Sequence, residues 1–329
     1  MLRALRVAQS PERAAASRPD DPLQVSDVHF SYGKTRAVNG VSFSVAPGEV
    51  FGLLGPNGAG KTTTISMIAG LLRPESGQVL IFGDEASDSS GKARARMGVV
   101  PQDIALYEEL SVRENLRFWG QIYGLTGSRL AAAVENVMRD VGLTERSKER
   151  VSALSGGLKR RLNLAVGLVH SPDLLLLDEP TVGIDPQARI RILDVVKAQA
   201  QAGRAVVYTS HYLEEAEQLC DRLAIIDHGA VLAIGTVAEL RRLVGEGPVV
   251  HLRGEVEAER MQRMAAHIDG ITLLGVDSGT ASFAARDAAA CSSLVRELFA
   301  TGGGIDDLRV LEPTLQTLFL KLTGRELRD

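Results

Sequence analysis

Residues 55–62 have the sequence GPNGAGKT, which matches G-x-x-x-x-G-K-[ST] at every fixed position: Gly55, Pro56, Asn57, Gly58, Ala59, Gly60, Lys61 and Thr62. Residues 50–54 before it are apolar and typical of a buried strand, and residues 61–72 after it have helical spacing. Glycines let successive backbone N–H groups turn toward phosphate oxygens, and the helix adds its dipole. The stretch therefore predicts a phosphate-binding loop, and an accidental glycine-rich turn is the disfavoured alternative.

The side chains at the end of this loop suit a nucleotide. The ammonium of Lys61 supplies a point charge to the β- and γ-phosphates, and the hydroxyl of Thr62 can bind Mg²⁺. We group Thr63, the next residue of the same turn, with the nucleotide-binding residues. The loop as a whole is thus expected to hold ATP together with Mg²⁺.

A second chemical feature follows an apolar run over residues 174–177, where the adjacent carboxylates Asp178 and Glu179 precede Pro180. At the carboxyl end of a parallel strand, such side chains face the crevice in which α/β sheets bind ligands. Asp178 is expected to hold Mg²⁺ through a water molecule, and Glu179 to polarise the water that attacks the γ-phosphate. A solvated Asp-Glu turn would be the favoured alternative if no phosphate loop were present.

Composition bounds the class of protein. With 329 residues, the chain has room for about two domains at ~150 residues each. The 37 Lys and Arg against 41 Asp and Glu leave a net charge of −4, which argues against a protein that coats nucleic acid. The 2 cysteines, Cys220 and Cys291, form no metal-binding or redox pattern, so a reducing compartment is expected. No apolar run reaches the roughly 18 residues that a membrane span needs.

Short apolar runs alternate with helical stretches from residue 23 to about 243, which predicts an α/β domain with a largely parallel sheet. Residues 1–22 are rich in Ala, Ser and Arg and are predicted to form a disordered tail. The ATP-binding domain is assigned to 23–244. After a Gly-Glu-Gly-Pro linker, the periodicity of 245–329 predicts a small α+β domain with the βαββαβ order of a ferredoxin-like sandwich.

Further residues complete an ordered set that resembles the ATP-binding-cassette (ABC) family of ATPases, over about residues 23 to 243. They are Tyr32, Gln102, Leu154, Ser155, Gly156, Gly157, Asp185 and His211. The resemblance implies a P-loop ATPase fold in which Tyr32 stacks on adenine and Gln102 contributes to catalysis and to the metal site. It also implies that His211 contacts the γ-phosphate and that Asp185 belongs to the nucleotide-binding machinery.

The resemblance also implies a homodimer. Ser155, Gly156 and Gly157 open a helix and form a second anion site without a lysine, which in the family grips the ATP of the other copy. Taken singly, Ser155 and Asp185 could be ordinary helix caps, and Gln102, Tyr32 and His211 ordinary surface residues.

One departure from the family pattern is Leu158, which stands where the family usually has glutamine, and its effect stays open. The following residues Lys159, Arg160 and Arg161 are expected to form a solvated or permease-facing basic cluster. Trp119 and Tyr123, four residues apart, are expected to pack in a core.

The C-terminal residues 312–326 resemble the ending of ATPases that serve export-type permeases for drugs, lipids or polysaccharides. The expected partners are ATP, a second copy and a separate multi-span permease, with no nucleic acid, at the cytoplasmic face of the membrane. The segment 103–113 is the expected permease contact, through Tyr107, Glu108 and Leu110. The alternative is a soluble ABC-type switch that acts on ribosomes or DNA.

Overall fold

The computed structural model describes residues 20–87, 91–244, 247–277, 279–300, 304–312 and 314–323. The predicted N-terminal tail lies outside these residues except for 20–22, and so do the first two residues of the predicted linker. The described residues up to Val231 form one compact unit, and those from Leu232 onward form a second. The functional division after residue 244 stays a prediction.

The first unit contains two sheets. The strands are β1 (Leu23–Tyr32), β2 (Thr35–Val45), β3 (Val50–Leu54), β4 (Ser76–Ile81), β5 (Asp84–Glu85), β6 (Met97–Val100), β7 (Leu174–Asp178), β8 (Ala205–Ser210), β9 (Arg222–Asp227) and β10 (Ala230–Thr236). The small sheet has the order β2-β1-β4-β5 and is antiparallel. The large sheet has the order β10-β9-β3-β8-β7-β6, and its pairs from β9 to β6 are parallel. The edge strand β10 of the large sheet begins in the first unit and continues into the second.

The first unit also contains helices. They are α1 (Lys61–Ile68), α2 (Lys92–Ala95), α3 (Val112–Ile122), α4 (Gly127–Asp140), α5 (Gly156–Leu168), α6 (Pro186–Gln201) and α7 (Leu213–Leu219), with short 3-10 turns at Thr144–Arg146 and Val151–Ala153. Helices α1, α5, α6 and α7 contact β7, β6, β8 and β3. Every residue of β3, β7 and β8 is buried, as is typical of strands covered on both faces. The predicted α/β fold is confirmed.

Glycines account for two differences from the predicted helices. Helix α1 ends at Ile68 rather than at residue 72, because Gly70 turns the chain with a φ of +70°. The helical region predicted between 110 and 141 is two helices, because Gly124 has a φ of +82° and ends α3. A left-handed backbone is the usual way in which glycine terminates a helix.

The strand β10 was not predicted. It follows β9 through a hairpin whose two turn residues, His228 and Gly229, have φ values of +46° and +77°. Positive φ at both central positions is the requirement of a type I′ turn.

The second unit consists of the rest of β10 and of α8 (Val237–Val244), β11 (Val249–Gly254), α9 (Ala258–His267), β12 (Ile271–Asp277), β13 (Thr280–Ala285), α10 (Ala288–Ala300), β14 (Ile305–Leu311) and α11 (Leu315–Thr323). Its four strands form an antiparallel sheet of order β12-β13-β11-β14, with Val250, Phe283 and Leu294 in the core. The predicted ferredoxin-like order is confirmed, whereas α8 was missed. None of the described helices has the length and apolar content that a bilayer span requires.

Candidate nucleotide-binding site

The phosphate loop joins the carboxyl end of β3 to α1, in the middle of the large sheet. Lys61 is the first residue of α1, and its buried Nζ donates to the carbonyl oxygens of Gly55 at 2.7 Å and Pro56 at 3.1 Å. Gly60 caps the helix with a φ of +102°, and a side chain there would meet the carbonyl oxygen of Ala37 at 2.4 Å. Only glycine fits this position, because both the backbone angle and the space exclude a Cβ.

Glu179 connects the loop to two other elements. Its Oε1 lies 2.9 Å from the Nζ of Lys61, and its Oε2 lies 3.1 Å from the Nδ1 of His211, which follows β8. Glu179 is buried and has a φ of +45°, a strained backbone for a residue other than glycine. The structure thus brings Lys61, Glu179 and His211 together, as parallel strands that end at one edge of a sheet allow.

Thr209 is a site residue that the sequence reasoning missed. Its Oγ1 donates to Oδ1 of Asp178 at 2.7 Å and accepts the backbone N–H of Glu179 at 2.9 Å. The two strands pair in parallel with Asp178 opposite Thr209. One buried hydroxyl therefore orients both the carboxylate that is predicted to hold the metal and the backbone of the predicted base. A hydroxyl at the end of the strand before His211 was the available sequence clue.

A cavity of about 450 Å³ collects half of the predicted nucleotide-binding residues, together with Gln102 and Glu179. Its lining contains Tyr32, Ala37, Asn57, Gly58, Gly60, Lys61, Thr62, Thr63, Gln102 and Glu179. Tyr32 is 56% exposed, so its ring is available to a planar group. Gly55 instead packs against the chain, where a Cβ would meet the carbonyl oxygen of Ile226 at 2.2 Å, and Ala59 is buried.

Thr62, Gln102 and Asp178 are the residues predicted to hold a metal. Thr62 and Gln102 line the cavity, and Asp178 is buried at the end of β7 beside Glu179. Among the described residues, no group of three or more His, Cys, Asp or Glu side chains is placed to hold a metal ion alone. This donor set suits Mg²⁺, which binds through few protein groups together with phosphate oxygens and water.

The residues predicted to form the second anion site, the signature residues Ser155, Gly156 and Gly157, lie at a separate helix N terminus. Ser155 is the N-cap of α5, and its side chain makes no capping hydrogen bond. A Cβ on Gly156 would enter open space, whereas one on Gly157 would meet the Cβ of Ala188 at 2.7 Å. Asp185 caps α6 by accepting the N–H groups of Gln187 and Ala188, both at 3.0 Å. Of the described residues that line the cavity, none comes from 155–157.

Comparison with known proteins decides the family. Residues 38–182 match the ABC transporter family profile. The chain is 46% identical over 310 residues to the linearmycin resistance ATP-binding protein LnrL of Bacillus subtilis (strain 168), covering 93% of this chain and 100% of that relative. The chain belongs to the ABC transporter family. The predictions of ATP binding and ATPase activity are confirmed, because the chain contains the ATPase domain of this family.

Two other similarities extend this result. The chain is 38% identical to Nod factor export ATP-binding protein I of Paraburkholderia xenovorans (strain LB400), over 94% of this chain and 100% of the relative. A solved structure titled as the ATP-binding subunit of an ABC transporter superposes with a TM-score of 0.62 at 33% identity, covering 67% of this chain and 92% of that one. The predicted resemblance to export-type ATP-binding subunits is confirmed.

In this ABC ATPase, hydrogen bonds connect the segment after β6 to α5, the signature helix, which begins at the signature residues. Arg160 donates to the carbonyl oxygens of Gln102 and, at 3.1 Å, of Val182. Asn163 accepts the N–H of Ala105 at 3.1 Å and donates to the carbonyl oxygen of Pro101 at 3.3 Å. Neither role was predicted, because both depend on contacts between segments distant in the chain.

The expected solvated basic cluster is wrong for Arg160, which is buried, and burial lowers the pKa of its guanidinium. Arg161 donates to the carbonyl oxygen of Val141 at 3.0 Å, and Lys159 pairs with Glu108 at 2.6 Å. The three side chains therefore bind parts of this chain. The cause is the helical spacing of α5, which turns Arg160 inward toward the segment after β6.

The expected packing of Trp119 and Tyr123 in one core also needs correction. Trp119 lies against Phe118 and Tyr107, with ring centroids 5.6 and 6.4 Å away. Tyr123 is exposed on one side and stacks on the ring of His170 at 3.6 Å. The two rings have different partners because α3 ends between them and Tyr123 is already its C-cap.

Proposed function

We propose that the chain is the motor subunit of an exporter, in which two copies bind two MgATP and drive a separate membrane permease. The observation that carries this proposal is the convergence of Lys61, Glu179 and His211 at the phosphate loop, where the carboxylate oxygens of Glu179 lie 2.9 Å from Nζ of Lys61 and 3.1 Å from Nδ1 of His211. The expected cargo is a drug, lipid or polysaccharide. Support for that class comes from relatives that match nearly the whole chain and are named for linearmycin resistance and Nod factor export.

The contacts of Glu179 support a role as general base. Its two carboxylate oxygens face Lys61 and His211. A γ-phosphate is a stronger attraction for both groups, so ATP would draw them away from Glu179. The carboxylate is then available to orient and deprotonate the attacking water, while His211 contacts the phosphate.

Magnesium completes the proposed site. Thr62, Gln102 and Asp178 would hold it, and Thr209 would keep Asp178 oriented through its 2.7 Å hydrogen bond. The ion supplies charge neutralisation for the transferred phosphoryl group. The chain's own contribution is to fix the carboxylate and hydroxyl beside the phosphate loop.

The open N terminus of α5 supports the proposed dimer. Its Ser155 hydroxyl is not used as a helix cap, and the space above Gly156 is empty of protein atoms within 4 Å. A helix terminus with free N–H groups binds anions. The lysine in the first turn of α5, Lys159, is paired with Glu108. We infer that this N terminus receives the phosphates of ATP held on the loop of a second copy.

The segment 103–113 is the proposed contact with the permease, on the cytoplasmic face of the membrane. Tyr107 is 48% exposed, and Ile104 is exposed beside it. The segment is bonded to α5 through Asn163, which accepts the N–H of Ala105, and through Lys159, which pairs with Glu108. Movement of the signature helix would therefore be carried directly to a permease bound there.

The alternative, a soluble switch on ribosomes or DNA, is not favoured, since the relatives that span this chain are named for resistance and export. The test is to identify a multi-span membrane protein encoded in a neighbouring gene, to co-express it with the chain and to purify both in detergent. We expect a stable complex whose ATP turnover exceeds that of the chain alone. Sedimentation with ribosomes, without a membrane partner, would overturn the proposal.

In the same complex, Glu179→Gln tests the chemistry. We expect turnover to fall by about 10²- to 10⁴-fold while ATP binding persists, because general-base catalysis contributes a factor of that order. Phosphate release at saturating ATP measures it, and the exposed Glu214→Gln is the matched control. Undiminished turnover would refute the assignment of Glu179.

A further inference from the structure

Glu215 is a buried carboxylate that the proposed mechanism does not use. It lies on α7, one turn after His211, and is 3% exposed. Its Oε2 accepts hydrogen bonds from the hydroxyl groups of Thr181 at 2.8 Å, Tyr208 at 2.7 Å and Ser210 at 3.0 Å. These donors come from the turn after Glu179 and from β8, so one carboxylate holds both segments that carry the proposed base and the proposed phosphate sensor.

The second oxygen of Glu215 faces a cation from a third segment. The Nε of Arg189 lies 3.1 Å from Oε1 of Glu215, an ion pair without hydrogen-bond geometry. Arg189 is on α6, where its backbone N–H donates to the carbonyl oxygen of Asp185 at 3.0 Å. Its guanidinium also lies over the ring of Tyr212 at 4.6 Å, and that ring is 4.1 Å from the ring of His211. Two successive contacts, Arg189 with Tyr212 and Tyr212 with His211, therefore link Arg189 to His211.

The contacts of Glu215 favour a rigid arrangement of the segments that it joins. A buried carboxylate is tolerated only when it is paired and hydrogen-bonded, and Glu215 has three hydroxyl donors and one cation. Burial and the neighbouring charge of Glu215 hold the pKa of Tyr208 well above its usual range, so the phenol remains a donor. A displacement of α6 would consequently strain the contacts of Glu215 rather than leave them unchanged.

We propose that Arg189 and Glu215 form a positioning pair that couples the start of α6, with Asp185, to His211 and to the turn that follows Glu179. The pair acts on the ATPase of the proposed function and rests on the site assignment made there. When Asp185 engages a second copy, Arg189 moves with it. The ion pair with Glu215 and the contact with the ring of Tyr212 then orient the His211 ring toward the γ-phosphate. Neither residue touches nucleotide.

The test is a double-mutant cycle in the full chain, with Arg189→Met, Glu215→Gln and the double variant. We expect each single change to lower kcat about tenfold or more, as for other residues that orient catalytic groups, with KM for ATP changed less than about twofold. The double variant should be no slower than the worse single variant, because both changes remove one coupling. Matched controls are the exposed residues Arg191→Met on α6 and Glu214→Gln on α7.

A second pair of variants isolates the ring contact. Tyr212→Phe retains the face on which Arg189 lies and should keep kcat, whereas Tyr212→Leu should lower it. Thermal unfolding is measured for every variant. Arg189 is 30% exposed, so Arg189→Met is expected to fold even if Glu215→Gln does not.

The outcomes separate this proposal from the one on which it rests. The pair is refuted if Arg189→Met and Tyr212→Leu turn over like the unmodified chain, or if the effects of Arg189→Met and Glu215→Gln on kcat multiply independently. If Glu179→Gln remains active in parallel, the site assignment itself has failed. If Glu179→Gln is inactive while the Arg189 and Tyr212 variants are normal, only the positioning pair is overturned.

Discussion

Helices α1 and α5 both begin at glycine-rich turns, yet their two N termini are equipped differently. At α1, Lys61 bonds to the loop carbonyl groups and to Glu179, so a cation and a carboxylate stand at the phosphate position. At α5, Ser155 makes no capping hydrogen bond and Gly156 faces open space. Both termini offer N–H groups to an anion, but only the first has side chains for chemistry.

The difference teaches how one chain can contain two halves of one site. The α1 terminus is proposed to bind and hydrolyse ATP with residues of its own chain, because β7 and β8 end beside it, next to Asp178, Glu179 and His211. The α5 terminus has the backbone dipole and the Ser155 hydroxyl, and the lysine of its first turn, Lys159, is paired with Glu108. It becomes useful when another molecule brings a phosphate, which is the physical basis of the dimer proposed above.

The largest expected effect comes from making the first terminus resemble the second. Lys61→Ala removes its cation, and we expect the affinity for ATP to fall by about 10- to 100-fold, since hydrogen bonds to charged groups contribute about 1.5–3 kcal/mol. Titration with a fluorescent ATP analogue measures it. The exposed Lys197→Ala on α6 is the control. A normal binding isotherm for Lys61→Ala would contradict the phosphate-loop assignment.

The next prediction tests whether the site at the N terminus of α1 depends on Thr209 of β8. Thr209→Val removes the hydroxyl that bonds Asp178 and the N–H of Glu179, and leaves a buried donor without a partner. We expect kcat to fall about tenfold and the Mg²⁺ requirement to rise, because such a loss is worth about 1–3 kcal/mol. Thr209→Ser keeps the hydroxyl and should restore both. Equal activity of the two variants would remove Thr209 from the site.

Substitution of two glycines at the N terminus of α5 distinguishes an effect on packing from an effect on ligand binding. Gly157→Ala places a methyl 2.7 Å from the Cβ of Ala188 and should destabilise the fold by about 1–3 kcal/mol, as overpacking does. Gly156→Ala enters open space and should leave thermal unfolding unchanged while lowering ATPase activity. Melting curves and phosphate release distinguish them. An active Gly156→Ala variant would count against a ligand at this terminus.

The smallest effect lies at the other end of α5, where no ligand is expected. Burial lowers the pKa of His170, and its buried Nδ1 has no hydrogen-bond partner among the described residues. The folded pKa is therefore below the unfolded value of about 6.5, so stability is complete above that pH and declines as the pH falls below it.

Urea unfolding at pH 7.5 and 5.5 measures this decline against His170→Phe, which keeps the stacking on Tyr123. We expect the unmodified chain to lose more stability than the variant, by less than about 1 kcal/mol because the ring is only half-buried. Equal losses would show that His170 does not carry this dependence.

Local pattern predicted the strongly marked elements to the residue. The strands Val50–Leu54 and Leu174–Asp178 are bounded by turn or acidic residues, and α6 begins at Pro186 after an Asp cap. Although Gly229 precedes β10, both β10 and α8 were missed, because apolar and small residues continue from this strand into the helix without a breaker between them. Periodicity identifies a repeating face, but it cannot show where a turn interrupts it unless a breaker is present.

The sequence by itself determined the phosphate loop, the acidic strand end and their order, and hence the family, because each depends on neighbouring residues. Only the tertiary structure decided which side chains meet. Lys61 reaches Glu179, Thr209 bridges Asp178 and Glu179, and Arg189 pairs with Glu215. The physical reason is that a glycine loop sets its own backbone N–H groups, whereas these contacts depend on the register of parallel strands and on helix packing across distant parts of the chain.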